Sequence, residues 1–195
     1  MSDRTVTVRR TTAETDVSLR LDPDGSGRSE ITTGLGFLDH MLTALARHAG
    51  WDLALSCRGD LHVDDHHSAE DCALVLGRAL AEVSAGGPAV ARFGWARVPM
   101  DEALAEVAVD FGGRPWAQVD LGLVRPLIGD VAAENLAHVL VTLAMEGRFN
   151  LHVDVVRGRN DHHRAEAAFK ALALALRAAL TVTGGPVRST KEVLG

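Results

Sequence analysis

The chain repeats itself, and that repetition limits its fold more than any other feature. Asp65-His66-His67-x-x-Glu70 recurs as Asp161-His162-His163-x-x-Glu166, 96 residues later in a chain of 195. The offset is about half the length, the mark of one module built twice. Upstream, His40 in FLDHMLTALARHAGWDLAL aligns with His138 in ENLAHVLVTLAMEGRFNLHV. Leu42/Leu140, Leu45/Leu143, Trp51/Phe149 and Leu53/Leu151 then match in the same order. Nearer each start, Glu14 precedes the alternating Val17, Leu19, Leu21 and Asp22, as Glu102 precedes Ala105, Val107, Val109 and Asp110. The joint falls near SAGGP, dividing the chain into halves 1–86 and 87–195.

Within each half the apolar period changes in step. Paired alternating segments come first, then a helical stretch, a strand and a second helix, a ββαβα-like unit. The second helices carry one apolar stripe each: Cys72, Ala73, Leu76, Leu80 and Val83 in one half, Ala165, Phe169, Leu172, Leu176 and Ala179 in the other. Strands precede helices, which predicts an α+β fold with two small sheets, each covering its own helices, in place of one doubly wound sheet. With 47% hydrophobic and 24% charged residues, a core forms without disulfides or structural metal. The formal charge of −6 disfavours nonspecific binding to nucleic acid or an anionic membrane, so anion binding has to be local. Two cysteines, Cys57 and Cys72, form no CxxC pair and no disulfide framework. The first residues, MSDRTVTVRR, have no apolar leader core, and the reading is a cytoplasmic protein.

Adjacent histidines at a helix start project about 100° apart, so they suit different ions. The glutamate three or four positions on shares a face with one of them. His40, His66, His67, Glu70, His138, His162, His163 and Glu166 are thus eight candidate ligands. Divided by the duplication, they make two sites of three histidines and one carboxylate, a donor set for a divalent transition metal with positions left for water or substrate. A single HHxxE is as readily a capped helix start; its repetition with matched upstream histidines favours metal. His48, His62 and His152 lack such partners and read as surface or locally bonded histidines. No GxxxxGK[ST], HExxH or GxSxG occurs, so phosphate-loop, zinc-protease and serine-nucleophile chemistry have no support.

Together these residues resemble the imidazoleglycerol-phosphate dehydratase family of histidine biosynthesis. The resemblance runs through RTTAETDV, GFLDHMLTALARHAGWDL, GDLHVDDHHSAEDCALVLGRAL, RFGWARVPMDEALAEVAVDFGGRP, GRNDHHRAEAAFKALALALR and STKEVL, almost the whole chain. Val139 and Leu140 stand where the family usually carries aromatics, and FGGRP replaces a more usual LSGRP. The resemblance implies two four-stranded sheets enclosing the helices, two Mn²⁺ ions per active site, and dehydration of imidazole glycerol phosphate to imidazole acetol phosphate. It also implies a homo-oligomer of 24 subunits built from trimers, with sites between subunits. Glu14 is then the first choice for moving protons, with metal-bound Glu166 a second participant. Arg92, Arg114, Lys170, Ser189 and Lys191 match positions that contact the phosphorylated substrate, as charge-assisted bonds to phosphate require.

The chemistry needs such a set. Neither a hydroxyl nor a carbon-bound proton leaves readily near neutral pH, so cations have to stabilise negative charge on the ring and a mobile carboxylate has to carry protons. From spacing alone, a noncatalytic metal-binding assembly and a dimetal hydrolase remain alternatives.

Overall fold

A computed structural model describes residues 3–86 and 88–186. In the first half, β1 (Val6–Thr11), β2 (Thr15–Asp22) and β3 (Ser29–Thr32) precede α1 (Gly36–Ala49), β4 (Asp52–Gly59) and α2 (His66–Ala85). The second half repeats this with β5 (Phe93–Met100), β6 (Ala103–Asp110), β7 (Trp116–Asp120), α3 (Ala133–Glu146), β10 (Asn150–Arg157) and α4 (Asp161–Ala179). Before α3 it inserts a two-residue-stranded hairpin, β8 (Leu127–Ile128) and β9 (Val131–Ala132).

The sheets run β1-β2-β4-β3 and β5-β6-β10-β7, the same order in both halves. β2 and β4 are antiparallel in continuous register from Thr15↔Gly59 to Asp22↔Asp52, while β3 joins β4 in parallel. β6, β10 and β7 repeat this pattern. Alternation drives it: Val17, Leu19 and Leu21 face inward with Leu53, Leu55 and Cys57, as Ala105, Val107 and Val109 do with Leu151 and Val153. The parallel third strand of each sheet is what alternation in the sequence does not reveal, so each half is βββαβα in order.

Each sheet covers its own two helices, and the halves meet through those helices: α1 packs on α4 and α2 on α3. The result is sheet, helices, sheet around one continuous apolar core. The Ala/Leu-rich α4 is buried nearly all round. Its small residues allow close approach, and Gly94 of β5 is where that approach is tightest, since a Cβ there would lie 1.9 Å from the Ala175 carbonyl oxygen. Gly50, at φ 78°, closes α1 in the left-handed region, and the fully buried Trp51 follows it directly before β4. Among the described residues, no helix is long and apolar enough to cross a membrane.

Candidate active site

The helix starts are fastened by carboxylates reaching across the two halves. Asp130, beside the β8–β9 hairpin, accepts the backbone N–H groups of Gly36 (2.6 Å) and Phe37 (3.0 Å) at the start of α1. Burial would raise its pKa, yet these two bonds hold it below the ordinary carboxylate value. Reciprocally, Asp65 of the first half accepts the N–H of Ala132 (2.8 Å), the residue before α3. Such bonds satisfy donors that a helix start leaves open and favour negative charge there. They tie the start of α1 to the hairpin ahead of α3, and the start of α2 to the residue ahead of α3, at the ends where the histidines sit, while α1 lies beside α4 through packing.

Two clusters follow, each crossing the halves. His40 of α1 joins His162 and Glu166 of α4, and His138 of α3 joins His66 and Glu70 of α2, with the donor atoms of each cluster within 4.8 Å of one another. Glu166 Oε2 lies 3.5 Å from His40 Nε2 and 3.3 Å from His162 Nε2. Glu70 Oε1 lies 2.9 Å from His138 Nε2, and its Oε2 is 3.8 Å from His66 Nε2. The i, i+4 spacing of histidine and glutamate on one helix face produces this in both copies. Asn135 Oδ1, 3.0 Å from His66 Nδ1, turns that ring so that Nε2 faces the cluster.

The second histidine of each pair turns away, as the helical step requires. His67 and His163 stand outside the clusters, against Asp60 and Glu102 respectively. The hydrogen bond that Asp60 accepts raises the pKa of His67, and the one that Glu102 accepts raises the pKa of His163, in each case against a smaller desolvation effect. Glu102 is held at about 2, first by His163 and then by the backbone N–H groups of Asn160 and Arg159.

Glu14 sits at the β1–β2 turn with its Oε1 3.8 Å from His67 Nε2, and its carboxylate is half exposed. That turn is fastened to α2 by buried Asp71, which accepts from both Arg10 and Thr15. Lys170 lies one turn beyond Glu166, its Nζ 2.7 Å from Oε1. Burial pushes Glu166 up, but this ammonium, with His40, holds it below its ordinary value. His48, two turns along α1 from His40, is shifted down by burial and then by the Lys170 charge, which puts it nearer the His40 cluster than its sequence context indicated.

The other basic residues lie elsewhere in the chain. Arg92 forms a two-point pair with Asp110 (2.6 and 3.0 Å) and stacks over Phe93, 4.7 Å from the ring centroid. Arg114 is exposed in the β6–β7 connection, where its carbonyl accepts from Asn150. Both sit at the Phe93↔Asp110 end of the second sheet, whereas His162 and His163 follow its Met100↔Ala103 end. Eight-residue strands separate the two ends by roughly 25 Å at ~3.3 Å per residue. One chain therefore brings Glu14, Lys170 and six histidine and glutamate candidate ligands to the helix starts and leaves Arg92 and Arg114 at the far edge. Ser189 and Lys191 lie outside the described residues.

Comparison with known proteins points the same way. A protein from Methanothermobacter thermautotrophicus named imidazoleglycerol-phosphate dehydratase is 52% identical over 185 residues, 95% of each chain. One of the same name from Phytophthora nicotianae is 51% identical over 98% of this chain, which spans 42% of that longer protein. The crystal structure of the Pyrococcus furiosus enzyme superposes with a TM-score of 0.84 at 40% identity, covering 96% of this chain and 100% of that one. The family model described as imidazoleglycerol-phosphate dehydratase matches residues 33–176, a span that contains both helix-start clusters, and the chain belongs to that family.

Proposed function

We propose that this hydro-lyase of histidine biosynthesis dehydrates imidazole glycerol phosphate at a pair of divalent cations, Mn²⁺ by preference, held at the two helix-start clusters. The observation that carries the reading is the pair of His₂Glu sets, each drawing on both halves of the chain. Neutral imidazole Nε2 atoms and one carboxylate within a single coordination radius suit a borderline divalent ion, and no thiolate is present to select zinc. Each set offers three donors, and its histidines are 38–45% exposed, so ligands and substrate have room to approach. When bound, the ions would supply positive charge that stabilises anionic character on the substrate's imidazole.

The remaining work falls to the chain. His67 and His163 face away from their own clusters, and on this reading they complete clusters on neighbouring copies, which makes eight ligands. Glu14, free of strong partners at a turn that Asp71 fixes, takes the carbon-bound proton and returns one to carbon in the ketone product. Glu166 holds its ion and shares its negative charge with Lys170. Arg92, Arg114, Ser189 and Lys191 bind the phosphate, with the two arginines supplied from a neighbour because they sit far from the clusters of their own chain. Lys170 approaches the substrate from the cluster side.

An assembly is supported by the second sheet's outer face. It exposes Phe93, Trp95 and Trp116, whereas Thr7 stands at the first-half counterpart of Trp95. A patch of that kind favours contact with another protein surface. The particle of 24 subunits built from trimers, in the cytoplasm, is the assembly proposed. Incubating the Mn²⁺-loaded chain with imidazole glycerol phosphate and following an enolisable ketone tests the reaction. Product formation that stops on chelation and returns with Mn²⁺ is expected; undiminished turnover after exhaustive chelation would reject the metal reading.

A further inference from the structure

The duplication supplies an internal control on the two histidines outside the clusters. Glu102 is at the β5–β6 turn, one residue before β6, and Glu14 holds the equivalent place one residue before β2. Glu102 Oε2 lies 2.7 Å from His163 Nδ1, while its Oε1 accepts the backbone N–H groups of Arg159 (3.0 Å) and Asn160 (2.8 Å). Glu14 does not do this for His67. Asp60 does, with its oxygens 3.1 and 3.2 Å from His67 Nδ1, and Glu14 faces the other ring nitrogen. The sequence shows how the exchange arose. RGDLHVDDHH in the first half is three residues longer than RGRNDHH in the second, and Asp60 lies at the start of this longer connection, where the second half has Arg159 after its RG.

We propose that Asp60 and Glu102 are positioning residues. Each accepts the Nδ1–H of the histidine in its own half, fixing the tautomer in which Nε2 carries the lone pair and aims outward at a metal. Carboxylate partners of this kind orient a ligand ring and raise its basicity. In the first half, the use of Asp60 leaves the turn glutamate without that duty, so that Glu14 is available for proton transfer where its counterpart Glu102 is not. The inference rests on the reading of His67 and His163 as ligands.

The test uses the full chain carrying Asp60→Ala, Asp60→Asn, Glu102→Ala, Glu102→Gln, His67→Ala or His163→Ala. Mn²⁺ affinity is measured against a competing chelator, ring ¹⁵N shifts are recorded on metal-free ¹⁵N-histidine-labelled protein, and melting is followed alongside. The alanine variants at 60 and 102 are expected to weaken one ion about 10–100-fold and to shift the affected ring toward mixed tautomers. Asparagine and glutamine, which keep an accepting oxygen, restore most of both even if an alanine variant melts early. At saturating Mn²⁺, kcat falls further in Asp60→Ala than in Glu102→Ala, because Glu14 is then drawn onto His67. Wild-type affinity and tautomer at the alanine variants, with His67→Ala and His163→Ala still losing metal, would overturn the positioning role alone. Equal falls in kcat would overturn the release of Glu14. Unchanged Mn²⁺ binding in His67→Ala and His163→Ala would overturn the ligand reading itself.

Discussion

Glu14 and Glu166 are both carboxylates beside histidines, yet their surroundings suit them to the different roles proposed for them. Glu14 is half exposed and touches His67 Nε2 only at 3.8 Å, whereas Glu166 is buried between two imidazoles and Lys170. Glu14→Gln keeps the size and removes the basic oxygen, so kcat is expected to fall by about 10²-fold or more with Mn²⁺ content unchanged. Glu166→Gln removes an anionic donor, and metal content is expected to fall together with rate. Steady-state kinetics with metal analysis on the two variants separates the roles; a near-normal kcat in Glu14→Gln would end its assignment to proton transfer. Cys72 is buried and no step uses a thiol, so Cys72→Ala is expected to keep its activity with a small loss of packing.

At the level of elements, the site depends on how closely helices and strands approach. Gly94→Ala would drive a methyl group into the Ala175 carbonyl and toward the Ala179 amide, both backbone atoms that cannot swing aside. Moving α4 off β5 to relieve this is expected to cost about 1–3 kcal/mol or more, read as a lowered melting temperature. Asp130→Ala removes both bonds at the start of α1 and is expected to cost about 1 kcal/mol, with weaker metal binding at the His40 cluster than at the His138 cluster. The helices and the long antiparallel strands were legible because their periods are regular and each occurs twice. β3 and β7 were not. They are four and five residues long, mix half-buried and exposed positions, and owe their existence to the parallel pairing with β4 and β10. The eight ligand candidates were also legible from repeated spacing, but their grouping was not, because it follows from α1 packing on α4 and α2 on α3 across the halves. Asp60 gave no signal in the sequence, since its role appears only where the two copies differ.

The whole molecule is held at its ends by charge as well as by the core. Arg4, 5% exposed, pairs with Asp24 and donates to the Leu180 carbonyl beyond α4, tying the first strand of one half to the last helix of the other. The hydrogen bond from Arg4 lowers the pKa of Asp24 against burial, and Glu102 is lowered from 4.5 to about 2. In the window between folded and unfolded values the unfolded chain binds more protons. The stability Glu102 contributes is therefore complete above about 4.5 and is lost as pH falls toward about 2, and that of Asp24 is likewise lost on the acid side. Histidine ligands act in a higher range, since an imidazole has to be neutral to bind metal and its reference pKa is ~6.5. Acidification is thus expected to release Mn²⁺ and dissociate the proposed assembly first, by pH ~5, with far-UV circular dichroism unchanged, and to unfold the chain only below ~4. Simultaneous loss of metal and secondary structure would contradict this order.

The central claim is that the two halves of one chain jointly build two metal sites. Anomalous scattering at the manganese edge from crystals of the Mn²⁺-loaded protein tests it directly. The account predicts two strong peaks per chain, one among His40, His162 and Glu166 and one among His66, Glu70 and His138, with His67 and His163 of neighbouring copies completing them. Peaks bound by residues of a single half, or no peak at either cluster, would contradict it.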